Sequence, residues 1–279
     1  MTGTIWLDGA LRAADTARVS VFDHGLTVGD GVFETLKAER GRAFAVTRHL
    51  ERLARSARGL GLPEPDLDEV RHACAQVLAA NPMERGRLRI TYTGGISPLG
   101  SERGTTGPTL AVALGVSAPR ADTTAAITVP WTRNERSALA GLKTTSYAEN
   151  VIALARAHQQ GASEALFANT VGRLCEGTGS NVFVVLDGEL YTPPVAAGCL
   201  AGITRALVVD WVGAQEADLP FDVLSRAEEV FLTSSLRDVQ AVARLDERTL
   251  LSDPGVPGPV AAKAMRIFAE RSAVEPDPA

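Results

Sequence analysis

Short runs rich in apolar, β-branched and aromatic residues at Thr4-Ile5-Trp6-Leu7 and over 32–38, bounded by polar and glycine positions, predict strands. A turn at Asp8-Gly9 ends the first, and Glu39-Arg40-Gly41-Arg42 has the composition of a hairpin turn leading to a return strand over 43–46. Helical spacing follows. Leu50, Leu53, Ala54 and Ala57 fall on one side of a helix expected over 48–58, with Thr47 as its cap and Gly59 and Gly61 as its end. Leu67, Val70, Cys74, Val77 and Leu78 do the same for a helix over 67–80, stopped by Asn81-Pro82. Strand patterns at 87–93 and 109–116 enclose a glycine-rich loop, 94–108, of a length that is often functional. Residues 119–125 have the composition of a linker. Beyond them, strands at 126–129, 165–168, 181–186 and 229–233 mix with helices at 146–160, 203–212 and 258–271, the first of these with Val151, Ile152, Leu154 and Ala155 as its apolar residues. The closing Glu275-Pro276-Asp277-Pro278 reads as a frayed end. The mixture predicts an α/β (mixed α+β) chain in two domains: a smaller N-terminal domain over 1–118, the linker 119–125, and a larger C-terminal domain over 126–279.

Composition narrows the function classes. The chain has 279 residues, enough for one large core or two smaller ones. With 45% apolar and 22% charged residues it reads as an ordinary soluble protein. A net charge of −5 without a dense basic run leaves no footprint for nucleic acid. No apolar run approaches the roughly 20 residues that span a bilayer, and the start at Met1-Thr2-Gly3-Thr4 lacks the pattern of a signal peptide. Cys74, Cys175 and Cys199 lie far apart, and the four histidines lack ligand spacing, so neither a disulfide framework nor a metal site is expected. The expectation is a cytoplasmic protein with small-molecule partners and neither nucleic acid nor membrane.

The chemistry concentrates in one stretch: Glu176-Gly177-Thr178-Gly179-Ser180-Asn181-Val182-Phe183, then Leu190-Tyr191-Thr192, then Leu200-Ala201-Gly202-Ile203-Thr204-Arg205. It resembles the signature of the class IV (fold type IV) aminotransferases, which use pyridoxal 5′-phosphate. Gly141-Leu142-Lys143-Thr144 resembles that family's cofactor-lysine segment, and Gly29-Asp30-Gly31-Val32-Phe33-Glu34-Thr35 and His49-Leu50-Glu51-Arg52-Leu53 resemble its N-terminal motifs. The resemblance runs from about residue 4 to 270. It implies a two-domain fold with a barrel-like sheet in the larger domain, and a homodimer.

The resemblance assigns roles that the residue chemistry supports. Lys143 would carry the cofactor as a Schiff base and then move the substrate's α-proton. A lysine, with an ordinary pKa of about 10.4, must be desolvated or placed near another cation to react as the amine, and the nearly uncharged surroundings of Lys143 suit burial. Glu176 would face the ring nitrogen, favouring its protonated form. The phosphate needs donors: Gly202-Ile203-Thr204 opens a helix, whose first N–H groups and dipole attract anions. Arg52 resembles the family's phosphate arginine, and Arg48, Arg52 and Arg55 are expected to share one helix face. Thr233-Ser234-Ser235 resembles its hydroxyl-rich phosphate turn, which assigns Ser234 and Ser235. Each has a bland alternative, as surface lysine, loop glutamate, solvated basic face or polar turn. Tyr147 is either a cofactor neighbour or a core tyrosine.

The same resemblance leaves the reaction more open. D-amino-acid aminotransferases of the best-known type carry an Arg-x-His carboxylate trap, where this chain has Leu99 and Ser101, and a tyrosine where it has Phe33. Arg103, Arg133, Arg136 and Arg237 are therefore candidate substitute anchors for a substrate carboxylate, each with a surface residue as its alternative. Thr35 resembles the threonine of aminodeoxychorismate lyase, and is equally a β-branched strand residue. The expected activity is transfer of an amino group from a D-amino acid or small (R)-amine to a 2-oxo acid. The alternatives are 4-amino-4-deoxychorismate lyase, a branched-chain aminotransferase, and a non-catalytic pyridoxal-phosphate-binding protein.

Overall fold

A computed structural model describes residues 3–278; Met1, Thr2 and Ala279, which fall within the expected domain limits, lie outside the described residues. The chain separates into two compact units. The first comprises the described residues up to Ala118, with Leu142–Ser146 and the stretch from Glu275 onward; the second holds Pro119–Gly141 and Tyr147–Val274. This departs from the simple division at 119–125: a five-residue segment that includes Lys143 packs with the first unit, and the supposed linker already enters a strand at Thr123.

In the first unit, β1 (Thr4–Leu7), β2 (Ala10–Ala13), β3 (Gly31–Glu39), β4 (Arg42–Ala43), β5 (Arg85–Thr93) and β6 (Thr109–Val116) form one sheet in the order β2-β1-β6-β5-β3-β4. The short helix α1 (His24–Thr27), which the apolar pattern does not announce, precedes β3; α2 (Val46–Leu60) and α3 (Leu67–Ala80) follow β4. Because alternate strand residues point to opposite faces, Val32, Leu36, Leu88 and Ile90 share one face and meet Leu50 and Leu53 of α2 in the core. Phe33, Thr35 and Lys37 belong to the other face.

Several local expectations are corrected here. Helix α2 begins at Val46, so the return strand is only two residues long. Thr47 does not cap it: the helix follows Ala45 in a left-handed conformation without a side-chain cap, and Asp277 accepts from the Thr47 N–H at 2.9 Å instead. The C-terminal stretch is thereby engaged rather than frayed, with Pro276 O accepting from Ala45 N–H at 2.8 Å. Gly61 is the left-handed C-cap, but Gly59 lies within the helix, where any Cβ would come 2.6 Å from Leu142. Glycine there lets the lysine segment approach α2.

In the second unit the elements run β7 (Thr123–Arg133), α4 (Ala148–Gln159), β8 (Glu164–Asn169), β9 (Leu174–Gly177), β10 (Asn181–Leu186), β11 (Glu189–Thr192), α5 (Ile203–Val212), β12 (Gln215–Glu216), β13 (Glu229–Ser234), β14 (Asp238–Leu245), β15 (Arg248–Thr249) and α6 (Pro259–Val274). The nine-stranded sheet has the order β12-β11-β10-β13-β14-β7-β8-β9, with β15 beside β14, and the turn from β9 to β10 is tied by Gly177 N–H donating to Ser180 O at 2.8 Å. β10 is buried on both faces, which is why it reads as a continuous apolar run. Phe183 stacks on Phe231 of β13 with centroids 4.8 Å apart. On α4 the expected stripe is wrong: Val151 and Ile152 are exposed, and Ala153 and Ala157 are the buried contacts. Among the described residues no helix is long and apolar enough to cross a membrane.

Candidate active site

Lys143 is positioned by β-pairing. Its segment lies antiparallel against the start of β3: Phe33 N–H donates to Lys143 O at 3.0 Å, Thr145 N–H to Gly31 O at 2.8 Å, and Val32 faces Thr144. Lys143 N–H donates to Ser56 Oγ of α2 at 3.2 Å. This register puts Lys143 across from Phe33 and on the same face, with Nζ 4.3 Å from the Phe33 ring centroid. On β5, next to β3, Arg89 lies across from Thr35 and brings its guanidinium carbon to 3.4 Å from that same centroid. Its Nε donates to Thr91 Oγ1 at 3.2 Å. One aromatic ring thus gathers a lysine amine and a guanidinium, both contacts of the cation–π kind. Arg89 was not among the anchors read from the sequence. The period-two pattern could have found it, since β pairing carries it to the Phe33–Thr35 face once the register is known.

On the opposite face, Glu34 is fully buried between two α2 residues. Arg52 grips it with both nitrogens of one edge, Nε to Oε1 and Nη2 to Oε2, each at 2.7 Å. His49 Nδ1 lies 2.6 Å from Oε2. Burial pushes the Glu34 carboxyl pKa up, but Arg52 and His49 outweigh it and hold the group well below the usual range. Burial, aided by Arg52 and Lys143, drives His49 below its ordinary value of 6.5 against the pull of Glu34. Of Arg48, Arg52 and Arg55, Arg52 is buried while Arg55 is exposed, so the solvated basic face of the bland reading does not hold at Arg52.

In the second unit Glu176 stands on β9, a strand and not the loop of the bland reading. Its Oε2 accepts from Leu200 N–H at 2.9 Å, and Oε1 is 3.2 Å from Arg133 Nε. Asn181 donates from Nδ2 to Leu200 O at 2.8 Å, and β pairing places Asn181 beside Thr233. Ile203 and Thr204 are buried in the first turn of α5, whose N-cap, Gly202, provides no side chain. A Cβ at Gly202 would run into Asn181 Oδ1, so the helix start can lie this close to β10 only with glycine there. Ser234 closes β13 and accepts from Arg237 N–H at 3.2 Å, and Ser235 begins the turn to β14.

Two of the expected substrate anchors, Arg103 and Arg237, bond to neighbouring protein groups. Arg103 holds Asp30 through Nε and Nη2 at 2.8 and 2.7 Å, and donates to the carbonyls of Leu60, the last residue of α2, and of its C-cap Gly61. Arg237 donates to Ser163 O and Oγ and to Gln240 Oε1. Thr35 and Phe33 lie on the Lys143 face as described. Tyr147 is half-buried at the start of α4.

These groups suit a phosphorylated pyridine aldehyde. The second unit offers an acidic side chain, a helix start without a side-chain cap, and a buried Thr233 Oγ1 that has no hydrogen-bond partner among the described residues. The first offers an amine beside an aromatic ring. The two sheets and their helices are those of the fold type IV aminotransferases, and residues 31–245 match the model of the amino-transferase class IV family: the chain belongs to that family. Its cofactor is pyridoxal 5′-phosphate. Among its relatives is a putative branched-chain-amino-acid aminotransferase of Methanocaldococcus jannaschii, 32% identical, the match covering 88% of this chain and 89% of that one. A bifunctional aminodeoxychorismate lyase / D-amino acid transaminase of Mycobacterium tuberculosis is also 32% identical, over 90% and 93% of the two chains. A PLP-bound structure of a hypothetical aminotransferase from Mycobacterium tuberculosis superposes with a TM-score of 0.85 at 29% identity, covering 99% of this chain and 100% of that one.

Proposed function

We propose that this chain moves an amino group from a D-amino acid, and from small (R)-amines, to a 2-oxo acid. The observation that carries the reading is the ring of Phe33 with the Lys143 amine and the Arg89 guanidinium both over it. Lys143 binds the cofactor's aldehyde and then carries the proton at the substrate's α-carbon. Arg89, with its planar fork, takes the carboxylate that Leu99 and Ser101 cannot hold, replacing Arg103 and Arg237 in that role. Phe33 is the wall between them. In the second unit Glu176 is the partner for the ring nitrogen, and Ile203, Thr204, Ser234 and Ser235 are groups for the phosphate; in the first unit Arg52, oriented by Glu34, has the phosphate role that the family resemblance gives it. The cofactor supplies the electron sink; these residues bind, orient and exclude water.

The lyase reading, releasing pyruvate and 4-aminobenzoate, draws support from Thr35, whose position opposite Arg89 puts a hydroxyl on the same face, and from the bifunctional relative. The protein acts as a homodimer, a reading supported by the exposed Val21, Leu26 and Leu99 of the first unit; light scattering showing a monomer at working concentration would refute the dimer. The test of function is a donor panel with 2-oxoglutarate as acceptor. D-alanine should give pyruvate and glutamate and L-valine should not, and borohydride should fix the cofactor to Lys143. Pyruvate from aminodeoxychorismate without turnover of D-alanine would move the assignment to the lyase.

A further inference from the structure

Arg133, weighed above as a substrate anchor, has a different setting. It ends β7 with its side chain 13% exposed and its guanidinium 4.1 Å above the ring of the fully buried Phe167. Nη1 binds Glu149 Oε2 at 2.5 Å and Asn150 Oδ1 at 3.2 Å, both on α4. Nε is buried and faces Glu176 Oε1 at 3.2 Å, yet forms no hydrogen bond of good geometry. The pairing with Glu176 is therefore by charge more than by a directed bond. Asn150 in turn donates to Thr178 O, tying α4 to the turn that follows Glu176.

We infer that Arg133 is the positioning residue for the acidic partner of the cofactor's ring nitrogen. The stack on Phe167 and the bonds to α4 fix the guanidinium. The fixed positive charge at one oxygen of Glu176, with Leu200 N–H at the other, fixes the carboxylate in turn. A carboxylate held on both sides meets the ring nitrogen without the entropy loss of ordering a mobile glutamate. The inference rests on the reading of Glu176 as the ring-nitrogen partner.

The test uses the full-length chain depleted of cofactor, titrated with pyridoxal phosphate and with its 1-deaza analogue, in which carbon replaces the ring nitrogen. Arg133→Met should weaken pyridoxal phosphate binding about ten-fold, the scale of one charge-assisted hydrogen bond, and leave affinity for the analogue unchanged. Arg133→Lys, which keeps the charge but not the fork, should show a smaller loss of the same kind, and it carries the test if the methionine variant does not fold. Equal loss for both cofactors in the arginine variants would mean a merely structural role and overturn the inference, as would no loss for either. Glu176→Gln is the control. If it discriminates between the two cofactors and the Arg133 variants do not, the inference alone fails. If it does not discriminate, the ring-partner reading of Glu176 fails.

Discussion

Glu34 and Arg52 form a two-point ion pair inside the first unit, with both nitrogen–oxygen contacts at 2.7 Å and His49 against the same carboxylate. Neither charge can be removed alone without leaving the other buried. Arg52→Met should cost about 3–5 kcal/mol of stability and, by the proposed phosphate role, weaken cofactor retention. Chemical denaturation measures the first and equilibrium dialysis the second; unchanged cofactor affinity would contradict the phosphate role while leaving the ion pair intact.

The same cluster sets an acid limit. His49 has a folded-state pKa below 6.5, so the unfolded chain binds more protons as the pH falls through that value, and stability falls with it. Glu34 and Asp30 are also lowered, from 4.5 and 3.8, and their contributions are present above those values and are lost as the pH drops towards the folded-state values. Melting temperature should therefore decline in two stages, the first below about pH 6.5. His49→Gln should remove the first stage and keep the second.

Arg89→Ala should raise KM for D-amino acids and 2-oxo acids by ten-fold or more while leaving that for an (R)-amine, which has no carboxylate, nearly unchanged. Steady-state kinetics with paired donors would show it. An equal loss for both donors would take the carboxylate role from Arg89.

Asp277 substitutes for the missing cap of α2, accepting from Thr47 N–H and Oγ1 at 2.9 and 2.7 Å. Asp277→Ala should cost about 1 kcal/mol, read as a melting-temperature drop of about 2–4 °C. No shift would show that the contact does not contribute to stability.

The three thiols should be unreactive in the native protein. Burial raises Cys74 and Cys199 to about 12 and Cys175 higher still, where neighbouring Glu176 adds to the effect. Ellman's reagent should label none of them until the chain is unfolded; fast labelling of one would show that its surroundings open in solution.

Much of this was legible from residues close together in the chain. Helix α3, strands β6 and β10 and helix α5 fall where the local pattern of apolar residues and nearby stop signals places them. The runs around Lys143, Glu176 and Gly202 carry the family resemblance by themselves, and with it the cofactor. The tertiary structure decided what no local pattern encodes. Strand register placed Lys143 and Arg89 over one ring, because a side chain's face depends on which residue it pairs with. Packing buried Arg52 while Arg55 stayed exposed, because the desolvated Glu34 carboxylate requires a partner. The cap of α2 came from a residue 230 positions away, a contact that chain folding creates and sequence spacing cannot show.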